Sequence, residues 1–144
     1  MAEAERLAET RTRTSGNFSH GQIIDHLART LQIVTGDRQG PAVPSLLRAV
    51  LRLVRKRAIH RPMKPGTRLP QKAQPLLWSD EDVPLQQAMT SLRDSMQRFQ
   101  QCDRFPPHLL FGELSDEQHR QLQCRHFELH LGFIHDSRPP AGTE

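Results

Sequence analysis

The sequence predicts an all-α helical bundle, and three observations predict it. Apolar residues recur at three- and four-residue spacing in several separate stretches, the period of a helix with one buried face. Two stretches open on a serine followed three residues later by glutamine, Ser19 with Gln22 and Ser115 with Gln118, the pattern of a capping box at a helix start. No stretch alternates apolar and polar residues convincingly enough to be read as a half-buried strand.

Taken in order, a short helical segment spans roughly 2 to 10. The next helix starts at Ser19, with Phe18 and Ile23 placed as a hydrophobic staple. It carries Ile23, Ile24, Leu27, Leu31 and Val34 inward and stops at Gly36. After Gly40, Pro41 and Pro44 comes a basic helix over 45–57, with Arg48, Arg52, Arg55 and Lys56 on one face and Leu47, Val50, Leu51 and Val54 opposite. Pro62, Pro65, Pro70 and Pro75 make the following segment an extended connection, held on the bundle by Leu69, Leu76, Leu77 and Trp78. A third main helix begins near Pro84 and buries Leu85, Ala88, Met89, Leu92, Met96 and Phe99. Residues 102–114 are loop. The fourth helix runs from Ser115 to about Ile134, with His119, Leu122, His126, Leu129, His130 and Phe133 inward. The whole is one bundle domain over 1–135 with a flexible tail over 136–144.

At 144 residues the chain is long enough for one core and too short for two domains. No apolar run approaches the 18 or more residues of a membrane span, and residues 1–10 lack the basic and apolar regions of a secretory signal. Cys102 and Cys124 make neither a metal-knuckle spacing nor a disulfide framework, so a reduced, cytoplasmic setting is expected. The formal charge of +4 is unevenly spread. Ten of the twenty bases fall in residues 38–79, which hold no acid, and the other ten face all sixteen acids. The basic segment has no interleaved aromatics for base stacking, which weighs against nucleic acid. It reads as a solvated face or an anion-attracting rim.

His126 and His130 stand at i and i+4 on the fourth helix. Four residues turn about 400° and rise about 6 Å, so both imidazoles leave one face, as in helical His-x-x-x-His zinc sites. His26, among Ile23, Leu27 and Thr30, is the third candidate ligand if its helix packs on the fourth. Three imidazoles leave a position open on zinc or nickel. Cys124 lies about 200° from His126 and points away, as does Glu128. Phe127 fills the slot where a His-Glu-x-x-His protease needs its glutamate, which excludes that chemistry. His119 reads as an ordinary exposed helix residue, His108 as a loop-to-helix structural contact, and His20 has no assigned role.

The chain resembles the DinB-like superfamily of four-helix bundles, and within it the family called domain of unknown function 1569. The resemblance rests on residues 16–28 (Gly16-Asn-Phe-Ser-His-Gly-Gln-Ile-Ile-Asp-His-Leu-Ala28), on Met63-Lys-Pro-Gly66, on Pro107-His-Leu-Leu-Phe-Gly-Glu-Leu114 and on His126-Phe-Glu-Leu-His-Leu131. It implies a DinB-like four-helix bundle, with the basic helix as an accessory in the long second connection. It puts His26, His126 and His130 in the roles of ligands to a divalent metal. It further implies a low-molecular-weight thiol as cofactor, transferase or isomerase chemistry at a metal-activated sulfur, and a homodimer. Two departures stand out. Phe18 occupies a position where the family has Trp. The first helix is shorter than the family's, so either the true start lies upstream of Met1 or the bundle is less stable than its relatives.

Two functions from different classes remain. One is a metal- and thiol-dependent transferase taking a small anionic or thiol ligand. The other is a non-catalytic binding or scaffold bundle, without metal, whose histidines brace the core. A weaker third is attachment to an anionic surface through Arg48, Arg52, Arg55 and Lys56.

Overall fold

A computed structural model describes residues 1–66, 71 and 73–137. Six helices and two three-residue strands follow in chain order: α1 (Ala2–Glu9), β1 (Thr12–Thr14), α2 (His20–Thr35), α3 (Ser45–His60), α4 (Gln74–Leu77), α5 (Leu85–Gln101), α6 (Asp116–Leu131) and β2 (Ile134–Asp136). Leu69, Pro70 and the tail beyond residue 137, for which the sequence reading carries expectations, lie outside the described residues. None of the described helices is long and apolar enough to cross a membrane.

Both capping boxes form. Ser19 Oγ accepts the Gln22 backbone N–H while Gln22 accepts that of Ser19, and Ser115 and Gln118 repeat the exchange. These pairs satisfy amides that the first turn leaves unbonded. Gly36 ends α2 in the left-handed conformation at φ +85°, a backbone state open to glycine at little cost. Phe18 stacks on Trp78, with centroids 3.8 Å apart, so the aromatic before the cap is engaged by Trp78 while Ile23 is buried in the core.

Helix α2 is central. It packs most extensively on α5 and on its other side meets α6. Ile23, Ile24, Leu27, Ala28 and Leu31 close with Ala88, Met89, Leu92 and Phe99 over one core, which α1 completes with Ala4 and Leu7. Gly21 is what lets the approach to α5 begin so close, since a Cβ there would stand 1.8 Å from the Val83 carbonyl oxygen. A smaller cluster of Ile59, Phe111 and Leu122 joins α3 and the 108–114 loop to α6.

Three features differ from the sequence reading. β1 and β2 pair antiparallel, Thr12 opposite Asp136 and Thr14 opposite Ile134. The fourth helix therefore ends at Leu131, and Asp136 belongs to a strand instead of a tail. The proline-rich connection contains the short α4, with Pro75 in its first turn, where the missing N–H is no loss.

The third difference is the orientation of α3. Leu47, Val50 and Val54 face solvent, as do Leu46 and Leu53, which are 77% and 84% exposed. Arg48, Leu51, Arg55, Ala58 and Ile59 face the bundle instead. Two of the arginines meet backbone carbonyls. Arg48 donates to Val43 O and Arg55 to Glu113 O, and Arg52 lies against Gly112. An arginine can do this because its aliphatic stem packs while its head bonds. Leu53→Gln should therefore shift urea-unfolding stability by no more than about 0.5 kcal/mol. Ile59→Ala, two turns on but fully buried, should cost about 2–5 kcal/mol. A reversed order would overturn this placement of the helix.

Candidate metal centre

The N-cap Ser19 and three side chains of α2 take up the 75–82 segment. Ser19 donates to the Asp82 carboxylate. Gln22 Nε2 donates to Ser79 O at 3.0 Å and Glu81 O at 3.2 Å. His26 Nδ1 meets Leu77 O at 2.9 Å, and Arg29 Nη1 donates to Pro75 O at 3.3 Å. Asp25 holds Arg29 in turn, at 2.6 Å. Positions 19, 22, 26 and 29 follow the i+3/i+4 row of one helix face, so a single edge of α2 satisfies a chain of backbone carbonyls.

This clamp fixes the first imidazole. A carbonyl only accepts, so His26 Nδ1 carries the proton and Nε2 keeps its lone pair for another partner. Trp78, just after α4, lies flat on the same ring at 4.0 Å and 5°. Its other side is covered by Phe18, so the imidazole closes a three-ring stack. The opposite helix supplies the remaining rings. The centroid of His26 is 5.1 Å from that of His126 and 4.4 Å from that of His130, and the latter two are 4.5 Å apart.

One nitrogen from each of His26, His126 and His130 falls within 4.8 Å of the others. The Nε2 atoms of His26 and His126 are 3.2 Å apart. A hydrogen bond there needs a proton on His126. A tetrahedral zinc with bonds of about 2.0–2.1 Å would put two ligand nitrogens about 3.3 Å apart, with both lone pairs turned to the ion. The same approach thus suits either use. His130 Nδ1 is buried with no hydrogen-bond partner among the described residues.

The cluster is held neutral. Burial, followed by the proximity of His130, pushes His26 down to about 3. Burial lowers His130 to about 4. His126 is driven well below the ordinary imidazole value by burial and then by its two neighbours. Neutral imidazole is the form that ligates metal, and a carbonyl that fixes the far ring nitrogen is the usual support for such a ligand. The donor set therefore fits a divalent ion. It is a neutral set, so the ion would keep its full charge and favour an anionic fourth ligand.

The other expectations divide. Cys124 is exposed, and Glu128 is exposed and bonded to Arg125 at 2.7 Å, both away from the centre. His108 bonds within its own loop, its Nδ1 accepting the backbone N–H of Leu110 and Phe111, and it meets the helix through its ring, 5.8 Å from that of His119. His20 bonds Thr12 through Nδ1 at 2.9 Å. His119 keeps its place on the inward stripe but not its reading as an ordinary exposed residue, because it is 1% exposed and packed on Phe105. The Leu77 carbonyl, the stacked Trp78 and buried Gln123 were missed. For Gln123 a signal existed: it sits three residues before His126, on the ligand face.

A family model described as "Protein of unknown function (DUF1569)" matches residues 1–137. No curated protein matches the chain, and no solved structure does.

Proposed function

We propose that this chain, which belongs to the DUF1569 family of proteins of unknown function, binds one divalent metal ion, zinc or nickel, through His26, His126 and His130, and acts as a metal- and thiol-dependent transferase on a small anionic ligand. The observation that carries the reading is the convergence of three neutral ring nitrogens within 4.8 Å, one with its tautomer set by the Leu77 carbonyl. Bound there, the ion would offer an open position and lower the pKa of a coordinated thiol, supplying thiolate near neutral pH. The chain itself orients the imidazoles, with Trp78 and Leu77 fixing His26 and one turn of α6 presenting the other two.

The hydrogen-bonding distance between His26 and His126 favours a second reading. In it the rings brace the α2–α6 contact with no metal. Elemental analysis of untagged protein separates the two. We expect about one equivalent of zinc or nickel in the wild type and none in His126→Ala, with both still helical by circular dichroism. A wild type that takes up neither metal after incubation would leave the bracing role. The single tryptophan, 4.0 Å from His26, gives a direct signal: nickel should quench its fluorescence to saturation near one equivalent.

A further inference from the structure

The inward face of α6 carries more polar chemistry than three ligands need. His119, Gln123, His126 and His130 stand at i, i+4, i+7 and i+11, which places all four within an arc of about 60°. His119 is 1% exposed and Gln123 is 7% exposed. Yet His119 Nδ1 and Gln123 Oε1 are buried with no hydrogen-bond partner among the described residues. Burying such atoms unpaired is costly, and each one in a folded protein calls for an explanation.

His108 reaches the same region from the loop before α6. Its ring centroid is 5.8 Å from that of His119, and its position is felt electrostatically at His126. Because Nδ1 accepts two backbone N–H groups, the proton of the neutral ring resides on Nε2. Among the described residues nothing bonds to that Nε2. Phe105 stacks on His119 and Phe111 on His108, so each imidazole has an aromatic ring against one face. The three side chains offer a donor at His108 and an acceptor at Gln123, and none carries a full charge.

We infer that His108, His119 and Gln123 form a second, uncharged subsite beside the metal centre, which takes a secondary amide carried by a small metal-bound anion. His108 Nε2–H would donate to the amide carbonyl and Gln123 Oε1 would accept the amide N–H. The anion binds the ion and the amide lies along α6 toward its N-terminus. The inference rests on the metal reading above and narrows its ligand to an anion with a peptide-like group close by.

The test uses cobalt(II)-loaded full-length protein and two carboxylates of similar length, N-acetylglycine with the amide and pentanoate without it, each titrated by the visible cobalt spectrum. The wild type should bind N-acetylglycine at least about tenfold more tightly, because a site built to hydrogen-bond rejects an analogue that cannot reply. In Gln123→Leu and in His108→Phe the cobalt should stay bound and the preference should fall to near unity. Thermal unfolding of the metal-free proteins gives a second readout. Replacing an unpaired buried amide by leucine should hold or raise Tm, by about 2–4 °C. Equal affinities in the wild type, or an unchanged preference in the variants, would overturn the subsite while leaving the metal site standing. A Tm drop or failure to fold in Gln123→Leu would make Gln123 a structural group and also overturn it. Failure of the wild type to hold cobalt would remove both readings.

Discussion

Lowering the pH from 7 to 4.5 should unfold the metal-free protein, and zinc should move that transition to lower pH. His26 is pushed down to about 3, and His130 and His108 to about 4, chiefly by burial; His126 is lowered well below its ordinary value for the same reason. In the unfolded chain each titrates near 6.5. Between those values the unfolded state binds a proton that the folded state refuses. The stability from these depressed groups is therefore intact above pH 6.5 and drains away as pH falls toward 4. His26, His130 and His108 each lose on the order of 1.4 kcal/mol per pH unit, or roughly 3 kcal/mol by pH 4. Those three groups together reach the range of a typical domain's whole stability, about 5–15 kcal/mol, and His126 acts in the same direction. Urea midpoints at successive pH values check this. A midpoint that is flat from pH 7 to 5 would contradict the burial of these rings. Zinc binds the neutral imidazoles of the folded state, so by linkage it opposes the same protons.

What the sequence showed and what it hid follow a physical division. The starts of α2 and α6 were legible because a capping box is a local exchange between residues three apart, and Ser19–Gln22 and Ser115–Gln118 are complete within four positions. The three candidate ligands were legible because helical spacing and an apolar setting travel with the chain. The strands were not. Each has three residues, too few to show a period of two, and Thr12 finds Asp136 only after the bundle has closed. The facing of α3 misled because an aliphatic stripe suggests a core. Here the deciding partners were the carbonyls of Val43 and Glu113, which have no signature in a sequence. The same blindness hid the Leu77 carbonyl. His119 and Gln123 were misjudged or missed for the opposite reason: polar residues turned inward leave α6 with little contrast between its faces, so the inward stripe passed over Gln123, and His119, though on it, still read as an exposed residue.

Trp78→Ala should weaken metal binding about 10–100-fold, while Phe18→Ala should weaken it much less. The indole is the only ring flat against His26, at 4.0 Å and 5°, among the described residues, and it also meets His130 edge-on at 5.6 Å. It follows directly on Leu77, whose carbonyl holds the His26 proton, so removing it frees both the plane of the ligand and the backbone that sets its tautomer. Supports of this kind to a metal ligand contribute about 10–100-fold in affinity when lost. Phe18 touches the far face of the indole and is 39% exposed, so its loss leaves the His26 hydrogen bond in place. The chain has one tryptophan, so affinity in Trp78→Ala is best read by competition with a chromophoric chelator. Unfolding in urea, run in parallel, separates affinity from stability. Equal losses in the two variants would mean that the aromatic stack acts as general packing; a loss confined to Trp78→Ala, with Leu77 still bonded to His26, would make the indole the group that aims the imidazole at the ion.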